Sequence, residues 1–160
     1  MAIEKERKFI FTGDSIPDDF HREKILQGYF ASEGGNEVRV RFSKIAGKPL
    51  KAYLTLKSKT EIASERHETE LEITVFYAMT IFRDCHLFLE KDRWRKDNIV
   101  IDIYDPLKVV VEVEDSDEIP SFCGDELTNT DIRKMISIHQ TDTRGRSYFI
   151  SQIGKYLREN

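Results

Sequence analysis

Arg39 and Arg41 stand two apart in VRVRF, Lys91 and Arg93 two apart in EKDRW, and Glu112 and Glu114 two apart in VVVEVE. Glu4, Glu6 and Lys8 alternate in the same way through IEKERKF. In extended chain, residues two apart share a face, roughly 7 Å from one to the next. Each run therefore presents neighbouring charges on one side. LTLKSK adds Lys57 and Lys59 beside Thr55, RHETELEI sets Arg66, Glu68, Glu70 and Glu72 together, and Asp102 alternates with Ile101 and Ile103. Paired guanidinium and ammonium groups suit the oxygens of a polyphosphate, and clustered carboxylates suit a hard divalent metal with oxygen ligands. A metal bridging phosphate to carboxylate would satisfy both zones.

The elements carrying these residues read mainly as strands. MAIEKERKFIF is closed by Gly13, Asp14 and Pro17, and a short helical turn is expected over 16–20. ILQGYFA and EVRVRFSK flank SEGGN, whose glycines and asparagine tolerate the positive φ of a hairpin turn. AYLTLKSK, RHETELEIT, HLFLEKDRWR, IVIDIYD and KVVVEVED complete eight strand candidates, joined mostly by short turns. VFYAMTIFRDC has apolar residues on several sides and reads as a buried helix. A short helix is expected from Thr128 or Asp131, and SYFISQIGKYLRE reads as an amphipathic helix. Such a series favours an antiparallel sheet or barrel with peripheral helices.

Two arrangements would account for the alternation. In one, an open sheet lays its apolar face on a core and its charged face in water. In the other, the sheet closes with its charged faces inward, and helices or a partner cover the apolar outside. Exposed strands ordinarily mix signs across neighbouring positions. Here Arg39 with Arg41, Lys91 with Arg93, and Glu112 with Glu114 each place like charges together, which repel unless a ligand of opposite charge lies between them. That segregation favours closure.

The 160 residues suit a single domain spanning 1–160. A net charge of −4 gives no reason to expect nucleic acid, and 39% hydrophobic residues in regular alternation argue against disorder. Cys85 and Cys123 make neither a disulfide framework nor a zinc motif. No apolar run reaches membrane-spanning length and no apolar signal region opens the chain, so a cytoplasmic protein away from membranes is expected.

The order of these blocks resembles the CYTH superfamily, the triphosphate tunnel metalloenzymes. IEKERKF is similar to its ExExK opening, and LQGYF, VRVRF, LTLKS, RHETELEI, EKDRW, IDIYD, VVVEVED and GDELTNTDIRK follow in the family's sequence to about residue 135. The resemblance implies an α+β, mainly β fold: an eight-stranded antiparallel closed barrel, a triphosphate tunnel with peripheral helices. It implies Mg²⁺ or Mn²⁺ as cofactor and a small-molecule triphosphate as partner, with a homodimer left open. Glu4, Glu6, Asp102, Glu112 and Glu114 match metal-binding positions. Arg39, Arg41, Lys57, Lys91 and Arg93 match phosphate-clamping ones. Glu68 and Glu70 match family glutamates, while Lys59, Arg66 and Arg133 are further contacts. Lys8, with Glu4 and Glu6, belongs to the catalytic set. A lysine among cations and a metal is expected to have a lowered pKa, which would let Lys8 position or deprotonate the attacking water.

No GxxxxGK[ST] or GxGxxG occurs, so ordinary nucleotide loops are excluded. His21, His67, His86 and His139 are scattered. The expected activity is metal-dependent hydrolysis of inorganic triphosphate or a small organic triphosphate. The alternatives are a class IV adenylate cyclase and a non-catalytic polyphosphate- or nucleotide-binding module. The segment beyond Ser137 matches no block of the family.

Overall fold

The computed structural model describes residues 2–34, 36–62, 65–85, 87–140 and 145–159, apart from the side chains at 2, 4, 31–33, 133, 136–140 and 145–146. Nine strands form one antiparallel sheet: β1 (Ala2–Phe11), β2 (His21–Glu33), β3 (Asn36–Lys44), β4 (Lys51–Lys59), β5 (Glu65–Ile73), β6 (Leu87–Lys96), β7 (Ile99–Asp105), β8 (Lys108–Glu114) and β9 (Cys123–Leu127). The order is β5-β4-β3-β2-β6-β7-β8-β1-β9, and β5 also pairs with β1. Eight strands thus close into a barrel, and β9 lies outside it.

Closure depends on how β1 divides its edges. Glu6 to Ile10 pair with β8, Glu6 facing Glu114 and Lys8 facing Glu112. On the other edge Ala2 to Lys5 pair with β5, and Lys8 to Phe11 pair with β9 with a register shift between Phe9 and Phe11. The ninth strand therefore occupies the part of the β1 edge that β5 leaves open. CGDEL lacks the β-branched alternation of the other strands, which is why the sequence does not announce it.

The apolar faces point outward and are covered. Leu26, Val40, Phe42 and Ala52 of β2–β4 pack under α1 (Val75–Phe82) and α3 (Gly145–Arg158), against Ala78, Phe82, Phe149, Ile153 and Tyr156. Phe9, Ile101, Val111 and Val113 pack beneath Phe20 and Phe122 from the loops before β2 and β9. The charged alternate faces are left inside, as the segregation of sign favours. One end of the interior is filled by Tyr29, Leu89 and Val110 under Ile132 of α2 (Asn129–Gln140).

Residues 16–20 make the expected short turn, Phe20 N–H donating to Pro17 O. One local expectation is corrected. The 75–82 helix forms, capped by Thr74 Oγ1 accepting from Tyr77 N–H, but only one face is buried; Phe76 is 74% exposed. Its apolar residues outnumber the positions that α1 can press against the barrel.

Candidate functional site

The barrel encloses a cavity of about 380 Å³. Its lining brings together Glu6, Lys8, Arg39, Arg41, Lys57, Arg66, Glu68, Glu70, Lys91, Arg93, Glu112 and Glu114, twelve of the residues expected from sequence. Glu4 lies opposite Arg66 in the β1–β5 register, and its side chain, like that of Arg133, falls outside the described ones. Lys59 is exposed at the end of β4 and does not line the cavity.

The β6–β7 side is cationic and internally satisfied. Asp102 is completely buried, and its two oxygens accept from Arg93 Nε at 2.9 Å, Arg93 Nη2 at 3.0 Å and Lys91 Nζ at 2.9 Å. Burial raises its proton affinity, but the adjacent Arg93 and Lys91 outweigh that and hold the carboxyl well below the usual range. Asp102 was expected among the metal ligands. The structure corrects this: it is not on the cavity lining, both its oxygens are engaged, and it anchors Lys91 and Arg93, which are. Lys91 is brought down to about 8 by burial and by Arg93, against the pull of Asp102 and Glu112.

The β2–β4 side is cationic and incompletely satisfied. Arg39 Nη1 lies 3.6 Å from Glu37, and Arg66 Nη1 lies 3.7 Å from the same residue. Arg41 Nη2 donates to Glu70 at 2.6 Å while its guanidinium stacks 4.9 Å over the ring of Tyr53. The Nε atoms of both arginines are buried without a hydrogen-bond partner. Burial, then Arg93 and Arg39, lowers the Arg41 pKa against Glu70. Buried donors without a partner, beside like charges that repel Arg41, are the chemistry that suits an anion.

The β1–β8 side carries the carboxylates. Lys8 Nζ lies 3.2 Å from Glu6 and 3.7 Å from Glu112. Arg95 Nη1 lies 3.5 Å from Glu114. Burial raises the Glu114 pKa, and Glu112 and Glu6 raise it further against Arg95 and Arg93. Among the described residues no three acidic, histidine or cysteine side chains are gathered closely enough to hold a metal ion. The donor chemistry of Glu6, Glu112 and Glu114 nevertheless fits a hard divalent cation: all-oxygen and on paired strands, and at Glu114 with a raised proton affinity that a bound cation would relieve.

Burial disfavours the charge of Lys8, yet Glu6 and Glu112 outweigh burial and hold its pKa well above the ordinary value. The Lys8 ammonium is thus held between the two carboxylates, 3.2 Å from Glu6 and 3.7 Å from Glu112.

Several lining residues were missed: Glu37, Arg95, Tyr29 and Tyr104. Each lies two residues from a residue already on the inner face or continues its alternation. Glu37 extends Arg39–Arg41, Arg95 extends Lys91–Arg93, and Tyr104 extends Asp102. Tyr29 faces Arg39 across β2–β3, a signal available only once the pairing is known.

This barrel, with its charged interior, is CYTH-like, the triphosphate-tunnel architecture. It is similar to the crystal structure of the inorganic triphosphatase NE1496, at 26% identity and a TM-score of 0.51, over 82% of this chain and 92% of that one. A second structure of NE1496, described as a hypothetical protein, matches at 22% identity and a TM-score of 0.48 over 98% and 99% of the two chains. HpAC1 from Hippeastrum, named as an adenylyl cyclase with a dominant triphosphatase activity, matches at 14% identity and a TM-score of 0.41, over 95% and 96%. No protein-family model matches the chain, and no curated protein matches it. Among the described residues no helix is long and apolar enough to cross a membrane.

Proposed function

We propose that the chain is a metal-dependent triphosphatase acting on inorganic triphosphate or a small organic triphosphate. The observation that carries this reading is the pair of buried, unpartnered Nε atoms on Arg39 and Arg41, facing a cavity whose opposite side holds Glu6, Glu112 and Glu114. The likeness to NE1496 supports triphosphate as the anion. A triphosphate carries roughly four negative charges, which positioned guanidinium and ammonium groups offset best. Arg39 and Arg41 would hold phosphate oxygens from one side, and Lys91 and Arg93, braced by Asp102, from the other. Lys57 and Arg66 close the cationic arc, and Lys8 donates from between the carboxylates. Glu6, Glu112 and Glu114 would hold Mg²⁺ or Mn²⁺, which when bound neutralises phosphate charge. The chain's residues thereby orient the anhydride for in-line attack by water.

The test is phosphate release from inorganic triphosphate, thiamine triphosphate and ATP, with and without Mg²⁺ or Mn²⁺, beside a cyclic-AMP assay. Metal-dependent orthophosphate release is expected. Full activity in excess EDTA would overturn the metal dependence. Cyclic AMP with pyrophosphate would replace hydrolysis by cyclisation, and binding without turnover would leave a binding module.

A further inference from the structure

Among the described residues, five buried side-chain atoms have no hydrogen-bond partner: Gln27 Oε1, Glu37 Oε2, Arg39 Nε, Arg41 Nε and Thr55 Oγ1. All sit on β2, β3 and β4. The two arginine nitrogens are donors, and an anion accounts for them. Gln27 Oε1 is an acceptor, which no phosphate oxygen can satisfy.

Gln27 is 1% exposed and does not line the cavity. It touches or faces two residues that do. Its Nε2 donates to Tyr29 Oη at 3.1 Å in a buried contact, and Arg41 is its direct partner across β2–β3. The unpaired acceptor thus stands opposite a residue with an unpaired buried donor.

We infer that Gln27 is a positioning residue of the polyphosphate site, turning the hydroxyl of Tyr29 and the guanidinium of Arg41 toward the ligand. A hydroxyl oxygen that accepts from Gln27 keeps its single proton free to donate elsewhere. Tyr29 lines the cavity, so that proton is available to a bound anion or its water. Arg41 is drawn aside by Glu70 and stacked on Tyr53. When it turns to phosphate, Gln27 Oε1 is the neutral acceptor beside it for Nε–H, leaving both terminal nitrogens for the ligand. A leucine of similar shape would remove a buried unpaired oxygen, so the fold itself loses nothing by the exchange. The amide matters when ligand is bound.

The inference rests on the polyphosphate reading, and two measurements separate them. One is calorimetric binding of inorganic triphosphate in EDTA; the other is steady-state phosphate release with Mg²⁺. Gln27→Leu is expected to keep or raise the melting temperature, weaken triphosphate binding about tenfold, and raise KM with kcat changed less than about threefold. Gln27→Glu keeps the acceptor beside Arg41 but loses the donor to Tyr29, and should recover part of the affinity. Tyr29→Phe should weaken binding in the wild type and add little in the Gln27→Leu background, since both changes remove the same arm. Gln27→Met, run in the same assays, replaces Gln27→Leu if that variant fails to fold. Unchanged binding and KM in the apolar variant, or full additivity with Tyr29→Phe, would overturn the assignment. A wild type that binds no triphosphate would remove the polyphosphate reading, and the inference with it.

Discussion

The β6–β7 and β2–β4 sides of the barrel carry the same kinds of cation and treat them in opposite ways. Lys91 and Arg93 share a fully buried Asp102 that takes three hydrogen bonds, whereas Arg39 and Arg41 each bury a nitrogen that bonds to nothing. The first side satisfies its own cations. The second leaves two donors open, as the proposed anion requires. A charged cavity can therefore combine a rigid wall, which belongs to the fold's stability, with a frustrated wall, which belongs to binding.

The sharpest test of that difference is Asp102→Asn. It leaves two buried cations without their counter-charge, a loss typically of about 3–5 kcal/mol, with a fall in melting temperature on the order of 10 °C. A variant as stable as the wild type by thermal denaturation would break the distinction. Next comes Glu114→Gln, which keeps shape but removes one unit of ligand charge. Metal affinity and turnover should fall by about 10²–10³ while apo stability holds or rises. Added Mg²⁺ with triphosphate should stabilise the wild type strongly and this variant barely. Equal ligand-induced shifts would defeat the metal assignment.

On the frustrated side, Arg39→Ala or Arg41→Ala should weaken triphosphate binding by about 1.5–3 kcal/mol, the worth of a charge-assisted contact, with no loss of apo stability. Unfolding in both variants would mark this side as structural after all.

The pH dependence concerns the rigid side. Lys91 has a folded pKa near 8 against 10.5 for a free lysine. Between those values the folded chain has released a proton that the unfolded chain keeps, so apo stability rises with pH across this window. Triphosphate affinity should move the other way, falling about tenfold from pH 7 to 9.5 as the ammonium is lost. Lys91→Arg should flatten that decline, and an unchanged decline would exclude Lys91 as its source. The smallest effect is expected for Lys59→Ala, outside the cavity: within about 0.5 kcal/mol in stability, and silent in binding.

Much of the site was legible because a strand's period of two is rigid. Once Arg39, Lys91 and Glu112 are taken as inward, the side of every charged neighbour on those strands follows. What alternation cannot give is depth. Asp102 and Glu112 have the same parity sense on neighbouring strands, yet Glu112 lines the cavity and Asp102 is sealed beneath Lys91 and Arg93. Nor does composition set the balance of charges around Lys8, where two carboxylates at 3.2 and 3.7 Å outweigh burial and raise its pKa. The ninth strand was illegible for another reason: its place is defined by an edge that β5 leaves vacant, a property of the assembled barrel.

That vacant edge bears on how the chain folds. β1 cannot be seated locally, because Glu6 faces Glu114, Lys8 faces both Glu112 and Leu127, and Ile3 faces His67. The neighbouring hairpins β2–β3, β3–β4 and β4–β5 need only nearby residues. Loop closure over most of the chain makes the pairing of β1 the slow, non-local event. Until β8 and β9 exist, the ERKFIF part of β1 has no strand to pair with, and its charges at Glu6, Arg7 and Lys8 discourage it from pairing with another copy. Glu6 and Lys8, which line the cavity of the finished barrel, thus also protect the nascent strand while it waits for its partners.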